Sequence, residues 1–197
     1  MSARRLRGGV FLLALFSLFL AVPILAEDAH EEWVAKYNGP GNLGDEARAL
    51  VVDDSGNVYV TGSSTGNGTS YDYTTIKYAP DGDTLWVRRY NGSLNGQDYA
   101  HALAVDASGN IYVTGYSYEI GTDYDYTTIK YSPNGNTLWV RSYNNYEDDY
   151  ARALVVDTSG NVSVTGESYA GTSAEYDYAT IKYAPNGDTL WVRRYNG

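Results

Sequence analysis

Residues 98–141 read DYAHALAVDASGNIYVTGYSYEIGTDYDYTTIKYSPNGNTLWVR, and nearly the same sequence stands before and after them. The tryptophans that close the copies show the spacing, since Trp33, Trp86, Trp139 and Trp191 lie 53, 53 and 52 residues apart. A repeat of this length indicates a propeller or a solenoid before any other fold. The repeated unit therefore decides the architecture of the chain.

Each unit divides into four short strand candidates, which in the first unit are residues 47–52, 58–61, 71–78 and 85–90. An Asp-x-Ser-Gly-Asn turn follows the first strand, Gly62 closes the second, and Pro-Asp-Gly or Pro-Asn-Gly joins the last two. Proline fixes φ and glycine accepts a positive φ, which suits a tight hairpin. Since no convincing helical period is present, the sequence predicts an all-β propeller of four-stranded antiparallel blades. A β-solenoid is the alternative, but its coils are usually shorter.

These motifs resemble the bacterial β-propeller repeat known as SBBP. The resemblance rests on Asp-x-Ser-Gly-Asn-(Val/Ile)-Tyr-Val-Thr-Gly, then Tyr-Asp-Tyr-Thr-Thr-Ile-Lys-Tyr, then Pro-x-Gly-x-Thr-Leu-Trp. It covers residues 33–197, with one departure at Ser163, where the other copies have Tyr59 and Tyr112. The resemblance implies four-stranded blades in exported or cell-surface proteins, and it brings no catalytic residues with it.

The blade count leaves one strand unpaired. Three complete units span residues 45–92, 97–145 and 148–197, and a lone fourth-strand segment precedes them at residues 33–37. The last unit already has its own fourth strand, so the lone strand has no blade to close, and three blades are fewer than the 4–8 usual for a ring. We favour the interpretation that the chain is part of a longer protein with further blades. The alternative is self-association of copies into a closed ring.

The N-terminus has the pattern of a secretory signal peptide over residues 1–26. Arginines at the start precede an apolar run at residues 10–25, and Ala26 stands at the expected cut. A membrane anchor is the alternative, but the run is shorter than the ~20 residues that a spanning helix needs. Residues 27–32 are expected to be a flexible leader. The pattern predicts a secreted or cell-surface protein with no membrane span after cleavage.

The net charge limits the classes of partner that are expected, and the cysteine content limits how the fold can be stabilised. The formal net charge is −10, and cleavage after Ala26 takes it to −13. A surface this acidic argues against nucleic acid or anionic membrane as a partner. The chain has no cysteine, so an exported form must be held together by its core without disulfides.

A ligand site is expected on the loops that vary between copies, which follow the second and fourth strands. Carboxylates there suit Ca²⁺ and tyrosines suit sugars, although solvated loop residues on an acidic protein explain the same composition and are the interpretation we favour. No cluster matches a Ca²⁺-loop spacing, so no cofactor is predicted and Ca²⁺ stays only an open alternative. The candidate residues are Asp98, Tyr99, Tyr116, Tyr118, Glu119, Asp123, Asp148, Asp149, Tyr150 and Tyr169.

The remaining chemistry-bearing residues point to structure. Asp53, Asp106 and Asp157 are expected to bond to their own turns, without a metal. His101 takes the position of an arginine in the other copies, and no nucleophile, base and acid can be assembled into a catalytic set.

The leading hypothesis is therefore a non-catalytic binding or structural module for a protein or glycan ligand. The alternative is a carbohydrate hydrolase or lyase whose catalytic residues lie in blades that this chain lacks. The near-identity of the units argues against that alternative, because active sites break repeat symmetry.

Overall fold

The computed structural model describes residues 31–169, 171 and 175–196, and the predicted signal peptide lies outside them. Every regular element in this part of the chain is a β-strand, and none of it forms a helix that could cross a bilayer. The strands are β1 (Asp45–Val52), β2 (Val58–Thr65), β3 (Tyr71–Tyr78), β4 (Thr84–Tyr90), β5 (Asp98–Val105), β6 (Ile111–Glu119), β7 (Asp123–Tyr131), β8 (Thr137–Tyr143), β9 (Asp149–Val156), β10 (Val162–Tyr169), β11 (Tyr176–Tyr183) and β12 (Thr189–Tyr195).

The strands form three separate four-stranded antiparallel sheets in sequence order: β1–β4 (blade 1), β5–β8 (blade 2) and β9–β12 (blade 3). The prediction of an all-β chain of four-stranded blades is confirmed. The first strands of neighbouring blades contact one another, as expected where blades converge on an axis. Within the residues that the structure describes, the sheets do not close into a ring.

The second strands are longer than predicted, because Gly62 does not end β2. The ladder between β1 and β2 carries a bulge that leaves Arg48 unpaired. A Cβ at Gly62 would lie 1.8 Å from the Glu46 carbonyl oxygen, so only glycine permits this close approach. The bulge recurs at His101 opposite Gly115 and at Arg152 opposite Gly166. Each of these glycines lies where the backbones of the two strands approach closely, and the second strand continues past it.

The Asp-x-Ser-Gly-Asn turns are held by their aspartates, as predicted. Asp106 Oδ1 accepts hydrogen bonds from the backbone N–H groups of Ser108 and Asn110, both at 2.9 Å. Its Oδ2 accepts from Asn110 Nδ2 at 2.8 Å and from the Tyr112 hydroxyl at 3.1 Å. The same turn forms at Asp53 and Asp157. Each oxygen of the Asp106 carboxylate therefore accepts two hydrogen bonds.

Each blade has two different faces. In blade 1 the face toward blade 2 carries Tyr59, Tyr73, Trp86 and Tyr90, and we call this the aromatic face. The face of blade 2 that it meets carries Ala100, Ile111, Val113, Ile129 and Tyr131, and we call this the aliphatic face. The pairing repeats between blades 2 and 3. The core of the protein therefore consists of two interfaces of one design.

Hydrogen bonds fix the register of each interface. Trp86 Nε1 donates to the Pro133 carbonyl at 3.1 Å, and the Tyr73 hydroxyl donates to the Thr127 carbonyl at 3.1 Å. The next interface repeats the first bond from Trp139 to Pro185, also at 3.1 Å. The tryptophan therefore closes the boundary between blades as well as packing in it.

The predicted strand at residues 33–37 is not formed, although the segment occupies the place of a fourth strand. Trp33 Nε1 donates to the Pro80 carbonyl at 3.0 Å, and the Trp33 ring lies 5.9 Å from that of Tyr78. Arg89 Nη1 donates to the Tyr37 hydroxyl at 3.3 Å. Within the described residues no third strand lies beside the segment, so it has no ladder to join.

At the other end of the array the aromatic face of blade 3 is uncovered. Tyr178 is 68% exposed, whereas its equivalent Tyr126 is 0% exposed. Trp191 is 36% exposed, against 7% for Trp139. The difference follows from position alone, because no blade packs on this face within the described residues.

Candidate ligand-binding surface

Eight tyrosines form a connected array of ring contacts across all three blades, at the ends of the strands where the variable connections lie. We call this array the tyrosine band. Its members come from the end of a second strand, the start of a third strand or the start of a first strand. They are Tyr71, Tyr99, Tyr116, Tyr118, Tyr124, Tyr150, Tyr169 and Tyr176.

The centre of the band lies at the boundary of blades 2 and 3. The ring centroids of Tyr116 and Tyr150 are 4.7 Å apart, and both rings contact Tyr124. The Arg152 guanidinium lies 5.6 Å from the Tyr116 centroid and 5.3 Å from that of Tyr150. The His101 ring stacks on Tyr116 at 5.1 Å. Arg152 and His101 reach the band because the β-bulges turn them out of the ladder.

An open cleft of about 520 Å³ lies along the band. Its walls are tyrosine rings, the amide of Gln97, and the charged groups of Glu46, Arg48 and Arg152. Gln97 Oε1 accepts from the hydroxyls of Tyr99 at 3.1 Å and Tyr124 at 3.0 Å. The cleft therefore combines aromatic surface with hydrogen-bond donors and acceptors. It also carries both positively and negatively charged side chains.

The local environment disfavours the charged forms of Tyr124, Tyr150 and His101. Burial raises the pKa of Tyr124, with neighbouring phenols and Asp148 adding to the shift. Burial and a hydrogen bond to Asp148 likewise raise the pKa of Tyr150. Burial lowers the pKa of His101, and the Arg152 and Arg48 guanidinium groups lower it further. The charge at the cleft therefore comes from Glu46, Arg48 and Arg152.

The structure brings half of the predicted site residues into this band: Tyr99, Tyr116, Tyr118, Tyr150 and Tyr169. The prediction that the ten candidates lie in loops is wrong for all except Asp148, because strands run on to the blade rim and the connections are short.

Asp98 and Asp149 do not face a ligand, because both are fully buried at the starts of β5 and β9. Asp98 accepts from the Gly92 N–H at 2.9 Å and from the Ser117 hydroxyl. Asp149 accepts from the Asn145 N–H at 2.6 Å, and burial raises its pKa to about 6. These carboxylates tie the connections between blades to the strands that follow.

The other acidic candidates stay at the rim and do not converge. Glu119 accepts from the Ser93 hydroxyl at 2.5 Å, and Asp148 accepts from the Tyr124 N–H at 3.2 Å. Asp123 begins β7 with a positive φ of 59°. In the part of the chain that the structure describes, no three His, Asp or Glu side chains lie together as a metal site would require.

Sequence analysis did not count Tyr71, Tyr124 and Tyr176 among its candidates, because each begins a Tyr-Asp-Tyr run that recurs identically in all three units. The second tyrosine of the run does build the core, since Tyr73 and Tyr126 are buried in the interfaces. The first lies two residues nearer the strand end, where the sheet reaches the rim. The position of this first tyrosine near the strand end is the sequence feature that could have identified it as a site residue. The arginines of the bulges have no such feature, because a bulge cannot be read from the alternation pattern.

The fold and this surface define a β-propeller repeat protein with three blades and an open ring. The family model described as Beta-propeller repeat, SBBP, matches residues 32–68 and 85–124. The chain therefore carries SBBP β-propeller repeats, as the motifs indicated.

Three individual proteins are similar to parts of this chain. It is 28% identical over 108 residues to the uncharacterized WD repeat-containing protein L264 of Acanthamoeba polyphaga mimivirus, over 46% of this chain and 8% of that protein. A protein of unknown function from Bacteroides caccae aligns with a TM-score of 0.48 at 15% identity, over 77% of this chain and 47% of that one. The gluconolactonase XC5397 of Xanthomonas campestris aligns with a TM-score of 0.42 at 18% identity, over 73% and 45%. The chain thus spans less than half the length of each of these proteins.

Proposed function

We propose that the chain is a non-catalytic carbohydrate-binding module of an exported protein and that the tyrosine band is its binding surface. The observation that carries the proposal is the connected array of rings, with neighbouring centroids 4.7–6.0 Å apart. The C–H faces of a sugar ring are apolar and pack on aromatic faces, while its hydroxyls require nearby donors and acceptors. Gln97, Glu46 and Arg48 supply them at the cleft.

The extent of the band favours an oligosaccharide. Its rings run from Tyr71 in blade 1 through Tyr116 in blade 2 to Tyr176 in blade 3. One sugar covers only one or two rings, so a chain of several sugars uses the surface best. The cleft is open, as binding along an extended chain requires.

The non-catalytic part of the proposal rests on the carboxylates. Asp98 and Asp149 are buried, and each accepts a hydrogen bond from a backbone N–H group. Asp106 accepts hydrogen bonds from Asn110 in its own turn. Asp72 pairs with the Arg89 guanidinium at 2.8 Å. A pair of free carboxylates facing one cleft is what glycoside hydrolysis needs, and these four are committed elsewhere.

Export is the part of the proposal that rests on residues 1–26 alone. Expression of the full chain in a bacterial host, followed by N-terminal sequencing of the mature protein, tests it. The expected mature N-terminus is Glu27. Recovery of uncleaved protein in the cytoplasm would contradict export.

Binding is tested by isothermal titration calorimetry with a panel of soluble xylo-, cello-, chito- and malto-oligosaccharides. We expect at least one class to bind, and Tyr116→Ala to weaken it by roughly 30-fold, the effect of losing about 2 kcal/mol. Tyr146→Ala is the matched control, because Tyr146 is exposed at the same rim but belongs to no ring contact of the band. Absence of binding across the panel, or equal loss in both variants, would contradict the proposal. Chromatography of the same mixtures for shortened products distinguishes binding from hydrolysis.

A further inference from the structure

The two ends of the blade array are complementary to each other. Blade 3 presents an uncovered aromatic face with Tyr178, Trp191 and Tyr195 exposed. Blade 1 presents an aliphatic face on which Leu50 is exposed and beside which a cavity of about 380 Å³ is lined by Thr74 and Ile76. Both internal boundaries join an aromatic face to an aliphatic face. A second copy of this chain therefore offers each end the kind of surface that it meets inside the molecule.

The hydrogen-bonding groups at the two ends also match. Arg88 Nε donates to the Gly135 carbonyl at 2.5 Å, and Arg141 Nε donates to the Gly187 carbonyl at 2.7 Å. The third equivalent, Arg193, bonds only within its own strand, to the Val192 carbonyl at 2.8 Å. On blade 1 the equivalent acceptor is the Gly82 carbonyl, to which no guanidinium donates in the described part of the chain. One end thus has a donor and the other an acceptor.

The N-terminal segment at residues 33–37 stands between these two ends. Trp33 donates to the Pro80 carbonyl, which is the acceptor that Trp191 of a second copy would require. The Trp33 ring also covers Gly82. The segment is an incomplete substitute for a fourth strand, because Ala35 stands where Arg88 and Arg141 stand and has no donor for the Gly82 carbonyl. It also lacks a sheet to hold it in place.

From these contacts we infer that copies of this chain associate head to tail, with the aromatic face of blade 3 on the aliphatic face of blade 1. Residues 33–37 inhibit this association, because they occupy part of the surface of blade 1 that the second copy would contact. In the associated state Trp191 replaces Trp33 at Pro80, and Arg193 donates to the Gly82 carbonyl. Such a contact joins different surfaces on the two copies, so it continues into rings or filaments. The inference uses neither the tyrosine band nor its ligand and is independent of the proposed function.

The degree to which residues 33–37 inhibit association follows from mass action. If the segment covers blade 1 for about 90–99% of the time, the apparent affinity between copies falls roughly 10- to 100-fold. Ser163 weakens the contact further, because it stands where Tyr59 and Tyr112 fill the internal interfaces. The unmodified chain is therefore expected to associate only weakly, and removal of Trp33 is expected to reveal the interface.

Sedimentation velocity over a range of concentrations tests the inference on the chain from Glu27 onward. The Trp33→Ala variant should associate at least about tenfold more tightly than the unmodified chain. Adding Tyr178→Arg should abolish that association, because it places a charge on the docking face. The matched control is Leu190→Arg, since Leu85 and Leu138 stay 52% exposed at the same position in the internal blades. Leu190→Arg should leave association unchanged.

Trp33→Phe guards against misfolding, because it keeps an aromatic ring at this position while it removes the indole N–H that bonds to the Pro80 carbonyl. It should strengthen association by a smaller factor than Trp33→Ala. Circular dichroism confirms that each variant keeps its strands. If neither Trp33 variant associates more tightly than the unmodified chain, or if Tyr178→Arg and Leu190→Arg act equally, the inference is overturned.

Discussion

Trp139 and Trp191 occupy the same place in identical local sequence, Thr-Leu-Trp-Val-Arg, yet their replacement by alanine should have very different consequences. Trp139 is 7% exposed, packs between the rings of Tyr112 and Tyr183, and donates to the Pro185 carbonyl at 3.1 Å. Trp191 is 36% exposed and faces no further blade in the described residues. Any difference in stability between the two variants therefore reports tertiary context alone.

The magnitude follows from these contacts. Truncation of a core tryptophan costs about 3–5 kcal/mol, which includes the cavity that it leaves. The Pro185 carbonyl also accepts from Lys130 Nζ at 3.1 Å and keeps that partner, so Trp139→Ala is expected near the middle of that range, at about 4 kcal/mol. Trp191→Ala loses only part of the buried area and no bond across a boundary, so about 1 kcal/mol is expected. For a domain of this size these losses lower Tm by about 8–16 °C and 2–4 °C.

Equilibrium urea unfolding followed by far-ultraviolet circular dichroism measures both free energies without relying on tryptophan fluorescence. Trp139→Ala should also lower the m value, because blade 3 can then open before the other blades. If the two variants lose equal stability, then Trp139 is not held by the neighbouring blade. The interface described above would then be wrong.

Three further outcomes are expected. Asp149 has its pKa raised to about 6 by burial, above the 3.8 of the free side chain, so stability should fall as pH rises between these values. The fall is about 2 kcal/mol between pH 4 and pH 7, and Asp149→Asn should remove it when unfolding is compared at these two pH values. Gly115→Ala places a Cβ 1.9 Å from the Tyr99 carbonyl oxygen and should cost more than about 3 kcal/mol, whereas Gly121→Ala meets open space and should cost about 1 kcal/mol in thermal unfolding. Asp106→Ala removes four hydrogen bonds from one turn and should cost about 2–3 kcal/mol by urea unfolding, with Asp106→Asn losing less.

Much of the fold could be predicted because its signals are local. Alternating apolar and β-branched residues mark the strands, and the Asp-x-Ser-Gly-Asn and Pro-x-Gly turns mark their ends. Repetition of the unit gave the blade. The extent of β2 was mistaken because Gly62 looks like a strand end, and only the bulge in the neighbouring strand shows why the glycine is there.

The candidate site was only half accessible to the same reasoning. Tyr116 and Tyr150 were found because they lie near variable connections, but Tyr124 was hidden inside a repeated run. Asp98 and Asp149 looked like ligand-face acids because they were assigned to the variable connections between the units. Their burial depends on how the preceding connection folds back over them, which no spacing in the sequence records.

The amino-acid sequence by itself determined the blade: its four strands, its turns and its repetition, since these depend on contacts within about ten residues of chain. Only the tertiary structure decided what each copy of a repeated residue does. Tyr126 is buried and Tyr178 is exposed because, among the described residues, a neighbouring blade packs on the first and none packs on the second. Trp33 caps a blade without forming a strand because its partner strand is not beside it. Nearly identical sequence acquires different roles from its place in the array, because burial is a property of neighbours.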